Sequence, residues 1–308
     1  MSSRLQRKTA RIRERRRTVV PGSPSGTVFS SEEFALNKHY RAEIYDFEKQ
    51  VERADLSLAD AALLIRDRKA AAVLVDLVDP NELDRWWDDP AFPPVTQHQS
   101  FAGAGKSGLA IGPTQRLVKG QLIPGLIDYF SYAGRTNAAL RDTEFVKLCV
   151  RELGAGAVQV GDWGELPLVS KREYQPVTNG LYSVPPHCDA IHFGREPLNW
   201  PIQDGYDEGY DQISLFLSVQ DAENSAGLVM WDYRPETRTE LDELMSEFAQ
   251  TRRIDRLDHV RSVTINGRPG QLNILNTRVM HAVEQCTTVR RTLGSFLVWH
   301  DSQWRMFH

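Results

Sequence analysis

The chain has 308 residues, 41% of them hydrophobic and 25% charged, with a net charge of −4. That is enough apolar material for one sizeable core, and the acidic balance gives no reason to expect nucleic-acid binding by the folded body. No apolar run is long enough to span a membrane, and three scattered cysteines do not make a disulfide framework, which fits a reducing, cytoplasmic compartment.

Residues 1–28 read as a flexible basic arm. Arg4, Arg7, Lys8, Arg11, Arg13, Arg15, Arg16 and Arg17 face only Glu14, and the arm closes on Pro21-Gly22-Ser23-Pro24-Ser25-Gly26. It is either a polyanion-binding tail or, more plainly, a solvated one. No apolar segment follows the positive charge, so it is not a secretory signal. Residues 29–308 are expected to form one domain, with helical support over about 29–154 and a strand-rich core over about 155–300. Ser30 with Glu33 forms a capping box that predicts a helix to about Arg53. Ser57 with Asp60 opens a second helix, and the β-branched, apolar run from Ala70 to Val78 predicts a buried strand. Pro80-Asn81-Glu82-Leu83 starts a further helix containing Trp86 and Trp87, and one long helical region is expected from Ile123 to Leu153.

Gly103-Ala104-Gly105-Lys106-Ser107 ends like a phosphate-binding loop, but Ser100 stands where that motif needs its first glycine. It reads as a glycine-rich loop. Beyond 155 the pattern turns to short strands at Gln212–Val219, Gly227–Asp232, Ser262–Ile265, Gln271–Leu275, His281–Glu284 and Arg290–Trp299, interrupted by a charged helical insertion over 235–257. The expected fold class is α+β: a double-stranded β-helix (a jelly-roll, cupin-like core) with supporting N-terminal helices and a helical insertion.

The chemistry concentrates in this second half. His187-Cys188-Asp189 on a strand places the imidazole and the carboxylate on one face, with Cys188 turned away as a packing residue. His281, after a strand and a turn, supplies a second imidazole. Two imidazoles and one carboxylate occupy one face of an octahedral metal and leave three positions open, the arrangement of non-haem Fe(II) oxygenases. 2-Oxoglutarate fills two of those positions, O2 the third, and its distal carboxylate needs a fixed cation. Arg290 and Thr292 share a strand face and meet that need with a guanidinium fork and a hydroxyl. Arg290 is preferred over Arg291, which points to the other face; pairing of both arginines with surface acids is the alternative.

His192 is either a substrate contact or a surface turn residue, and Trp231 either lines the pocket or fills the core. The aromatic, acidic segment over 192–212 is a lid, with Trp200, Tyr206 or Tyr210 on the substrate, or an ordinary loop. His39, His98 and His259 have no partner at ligand spacing, and His300 and His308, on or beyond the last strand, read as structural or exposed. A small molecule is the expected partner.

These residues resemble the Fe(II)/2-oxoglutarate-dependent oxygenase superfamily, through His187-x-Asp189, His281 and Arg290-x-Thr292. The segments QISLFLSVQDAENSAGLVMWDYRPE and VRRTLGSFLVW are similar to the bacterial branch that contains the N-succinyl amino-acid hydroxylase and the hapalindole-type alkaloid halogenase. The resemblance covers about 175–300. The halogenases carry glycine in place of the carboxylate, which opens a chloride site; Asp189 fills that position here. The resemblance therefore implies hydroxylation of a small metabolite, an amino-acid derivative or a natural-product intermediate, with release of succinate and CO2. Desaturation or cyclisation by the same chemistry, or a non-catalytic jelly-roll binding protein, are the alternatives.

Overall fold

The computed structural model describes residues 38–48, 50–92, 108–110, 122–160, 164–176, 182–189, 212–221, 227–300 and 302–308. The chain divides into a unit over residues 1–36 and a second over 37–308, and every described residue belongs to the second. The basic arm, the glycine-rich loop at 103–107, His192 and the 192–211 part of the proposed lid lie outside the described residues.

The chain starts with a hairpin, β1 (Tyr40–Tyr45) and β2 (Val51–Leu56). A helix was expected here to Arg53, and the structure corrects that reading over 40–53. Tyr40 and Ala42 alternate with exposed Arg41 and bury against the next strand, so the period is two. The turn is held by the Asp46 carboxylate, which accepts from the Gln50 amide at 2.9 Å. Glu52, Arg53 and Asp55 keep the outer edge charged.

Helix α1 (Leu58–Arg66) starts at Ser57, whose hydroxyl accepts the Asp60 amide at 3.1 Å, as expected. Strand β3 (Ala72–Asp76) follows, then a single 3-10 turn over Pro80–Glu82 and α2 (Leu83–Trp87). After β4 (Gly108–Ala110), the helical region expected over 123–153 holds two helices, α3 (Leu122–Leu140) and α4 (Glu144–Leu153). The break has a local cause: the Thr143 hydroxyl caps the second helix by accepting the Val146 amide. Short strands β5 (Gly156–Ala157), β6 (Gln159–Val160) and β7 (Gly164–Glu165) lead into β8 (Ser170–Tyr174) and β9 (Tyr182–His187). Then come β10 (Gln212–Gln220), β11 (Leu228–Trp231), the insertion helix α5 (Arg238–Thr251), β12 (Ser262–Ile265), β13 (Gln271–Asn276), β14 (His281–Glu284), β15 (Arg290–His300) and β16 (Gln303–Phe307).

Among the described residues, ten strands form one sheet, ordered β2-β1-β3-β13-β10-β15-β16-β5, with β8 also on β15 and β4 on β8. A four-stranded sheet runs β12-β11-β14-β9. The alternation along β10 sorts the large sheet's two faces. Ile213, Leu215 and Leu217 pack with Leu58, Ile65, Phe145 and Leu148 of the helices. Phe216 turns the other way, into a cluster that joins Leu74 and Leu275 to Val184, Met230 and Val263 of the small sheet. Burying each such side chain contributes about 1.5–3 kcal/mol. The small sheet's outer side carries α5, whose Leu244 and Phe248 pack on Trp231, Met280 and Cys188. The result is a mixed α+β layering of helices, large sheet, small sheet and insertion helix. Burial pushes the Cys149 thiol up to about 12, so it stays a neutral packing group among the supporting helices.

Gly270 pins the turn before β13. Its φ is +88°, and a Cβ there would stand 2.2 Å from the Val78 carbonyl oxygen. That close approach lets Leu77 and Val78 both donate to the Gly270 carbonyl, at 3.1 and 3.0 Å. Gly270→Ala is expected to destabilise the fold by about 2 kcal/mol or more, because strain and backbone clash add. Urea unfolding of the variant reads this directly; an unchanged midpoint would refute it.

Candidate metal centre

Strand β9 contains Pro185-Pro186 immediately before His187. Neither proline donates a ladder hydrogen bond, so the pairing with β14 slips: Val184 lies opposite Val283, and His187 opposite His281. Three steps on β9 match two on β14, an irregularity that re-aims the end of the strand. The two imidazoles meet with ring centroids 4.2 Å apart.

His187 Nδ1 lies 2.7 Å from the Pro185 carbonyl, and His281 Nδ1 lies 3.0 Å from the Val279 carbonyl. A carbonyl only accepts, so each Nδ1 carries a proton and Nε2 is the atom left to present a lone pair to a metal. Such outer hydrogen bonds fix tautomer and ring orientation in metal sites. Both Nε2 atoms face Asp189, at 3.7 Å from Oδ1 for His187 and 3.6 Å from Oδ2 for His281. The ligating atoms of the three residues lie within 4.8 Å of one another.

Asp189 is oriented differently from the strand-face expectation. β9 ends at His187, and Asp189 lies just past it. Its amide donates to the Thr277 carbonyl at 2.7 Å, so the β13–β14 connection aims this carboxylate rather than the pleat. Burial by itself raises the Asp189 carboxyl, but without a metal the charges of protonated His187 and His281, and then the Arg172 guanidinium, outweigh it and hold the group well below the usual carboxylate range. Cys188 is buried on the opposite side, among Trp231, Leu241 and Phe248, in the packing role expected of it. Trp231 lies in that same cluster beneath α5, and its amide bonds to Met280.

Arg290 and Thr292 lie on the inner face of β15, at 6% and 4% exposure. The Arg290 guanidinium is over Tyr174 at 6.0 Å and Phe216 at 5.6 Å. Its Nε and one terminal nitrogen are buried with no hydrogen-bond partner among the described residues. A buried guanidinium left in this state costs several kcal/mol unless an anion completes it. Arg291 faces the helices, where it pairs with Glu173 at 2.9 Å and stacks over Trp87. The donor set at His187, Asp189 and His281 suits a divalent metal, and the orphaned Arg290 suits the far carboxylate of a dicarboxylate co-substrate.

A second inner-face cation escaped the sequence reading. Arg172 on β8 lies opposite Thr292, and its terminal nitrogen donates to His308 Nδ1 at 3.3 Å. The alternation of Lys171, Arg172 and Glu173 was the available signal, but only the strand pairing shows which face looks inward.

No family model and no curated protein matches the chain. Among solved structures, the chain is similar to an N-substituted L-amino acid dioxygenase from Burkholderia ambifaria AMMD, at 32% identity over 89% of this chain and 100% of that one, with a TM-score of 0.75. It is likewise similar to that enzyme in complex with alpha-KG (2-oxoglutarate), at 31% identity, the same coverages and a TM-score of 0.74.

Proposed function

This chain belongs to the Fe(II)/2-oxoglutarate-dependent oxygenase superfamily, on the amino-acid dioxygenase side of it, and from that premise we propose that it hydroxylates an unactivated C–H bond of an N-substituted amino acid. The enzyme is an iron- and 2-oxoglutarate-dependent dioxygenase. The observation that carries the substrate reading is similarity over the whole length of the N-substituted L-amino acid dioxygenase. The two facing sheets are read as the major and minor sheets of a double-stranded β-helix, within one catalytic domain that begins before Tyr40.

In this reading His187 and His281 offer Nε2, and Asp189 one carboxylate oxygen, to the metal. Arg290 and Thr292 fix the far carboxylate of 2-oxoglutarate, which sets the reach of its keto-acid end. When bound, iron and 2-oxoglutarate supply the oxidation: O2 is reduced, CO2 and succinate are released, and one oxygen atom enters a C–H bond of the substrate. The protein's part is to hold the three donors ionised or deprotonated, to orient the substrate and to exclude water around Phe216 and Tyr174. Asp189 occupies the position that halide would need, which supports hydroxylation or a related oxidation rather than halogenation.

The test is succinate release by iron-loaded protein across a set of N-acetyl L-amino acids, with mass spectrometry of the products. A product one oxygen atom heavier is expected. A product two hydrogens lighter would replace hydroxylation by desaturation. No substrate-stimulated succinate release with any member would remove the N-substituted amino acid reading.

A further inference from the structure

Besides Arg290, a second cation stands on the inner face of the large sheet, beside Thr292. Lys171 and Glu173 of β8 face the helices, where Lys171 donates to the Trp87 carbonyl and Glu173 pairs with Arg291. Arg172, between them, therefore turns inward, onto the face of Arg290 and Thr292. Its Nε is buried and makes no hydrogen bond among the described residues. Its one hydrogen bond there goes to His308 Nδ1, at 3.3 Å. Arginine only donates, so that imidazole nitrogen accepts, and this contact brings no negative charge to Arg172. The ring of His308 stacks on Phe296 at 6.2 Å and walls this corner.

Arg172 pairs with no carboxylate within ion-pair distance among the described residues. The negative charge it acts on is that of Asp189, whose oxygens are already turned to His187 and His281. A metal dication, the Asp189 carboxylate, the two carboxylates of 2-oxoglutarate and the Arg290 guanidinium sum to zero. Among the described residues Arg172 is then an unbalanced, partly buried cation, which is unfavourable unless another anion joins it. An N-acylated amino acid has lost its ammonium charge and keeps its carboxylate, so it brings one negative charge into the site.

We propose that Arg172 binds the carboxylate of the organic substrate, as an anion site beside the metal centre and separate from the Arg290 site. This rests on the N-substituted amino acid reading, and it makes the substrate's charged end the specificity determinant. The guanidinium fork makes bidentate bonds to a carboxylate and has no such bond to offer a carboxamide.

The experiment is an anaerobic titration of the protein loaded with Fe(II) and 2-oxoglutarate, followed by calorimetry and by the metal-to-ligand charge-transfer band. N-acetyl L-amino acids are compared with their matched carboxamides in the parent protein, Arg172→Gln and Arg172→Lys. The parent is expected to bind the acids about 10–100-fold more tightly than the amides, the span of a charge-assisted hydrogen bond. Arg172→Gln should erase that ratio, leave the amides unchanged and keep the 2-oxoglutarate band, which also reports a folded site. Arg172→Lys should retain part of the ratio. An unchanged acid-to-amide ratio in Arg172→Gln overturns the proposal. So does loss of 2-oxoglutarate affinity with that ratio intact, which would assign Arg172 to the co-substrate. If no N-acetyl amino acid binds the parent, the substrate reading fails by itself, and hexanoate against hexanamide then reads the cation alone. Weaker hexanoate binding in Arg172→Gln sustains the anion site; equal binding removes it.

Discussion

Asp189→Ala is expected to lower dioxygenase turnover by at least about 100-fold and to weaken Fe(II) binding by a comparable factor. Removing a mere outer partner of a metal ligand typically costs about 10–100-fold, so loss of a donor sets the lower bound. Asp189 is the one anionic donor of the triad; His187 and His281 present neutral Nε2 lone pairs because their Nδ1 protons go to the Pro185 and Val279 carbonyls. Without the carboxylate, two imidazoles remain on adjacent strands of the small sheet, with weaker hold on a hard dication. Turnover and Fe(II) affinity are both measurable on the same preparation. Full hydroxylase activity in Asp189→Ala would sink the assignment of the three ligands.

Arg290→Met is expected to raise the KM for 2-oxoglutarate by about 10–100-fold, the loss of charge-assisted bonds to one carboxylate. In the ligand-free protein the same substitution should leave stability unchanged or raise it by about 1 kcal/mol, since a buried cation with orphaned donors is replaced by an apolar chain. Opposite signs for affinity and stability distinguish a ligand anchor from a structural arginine. Arg291→Met supplies the contrast. It breaks an ion pair with Glu173 in which the Arg291 side chain is 37% exposed, worth about 0–1 kcal/mol, and should not move the KM for 2-oxoglutarate. Steady-state kinetics with urea unfolding of both variants tests the pair; a raised KM in Arg291→Met alone would reverse the assignment.

The residues that carry the chemistry stand out before any fold is known. His187, Asp189 and His281 are the residue types a hard, oxygen-activating metal needs, and the structure brings these three together. Arg290 and Thr292 are separated by one residue on a strand, so their shared face follows from local geometry, and both are buried inward while Arg291 faces the helices. The Ser57 cap and the β-branched run at Ala72–Asp76 are equally local, and both appear where expected. The hairpin over 40–56 was missed because charged residues on its exposed edge imitate a helical pattern. The period-two burial of Tyr40 and Ala42 arises only when β1 docks on β3.

The sequence by itself determined the donor chemistry, the strand periodicity and the turn residues, because each is set by neighbours a few positions apart. Tertiary structure alone decided where those groups point. Asp189 lies beyond its strand and is aimed by the carbonyl of Thr277, far along the chain. The register of β9 against β14, slipped at Pro185-Pro186, sets His187 opposite His281. Pairing of β8 with β15 puts Arg172 across from Thr292 and turns an ordinary alternating strand into a wall with an inward-facing cation whose Nε is buried. Periodicity is a local property of the chain, whereas the register between strands distant in sequence is fixed only when their apolar faces are buried together.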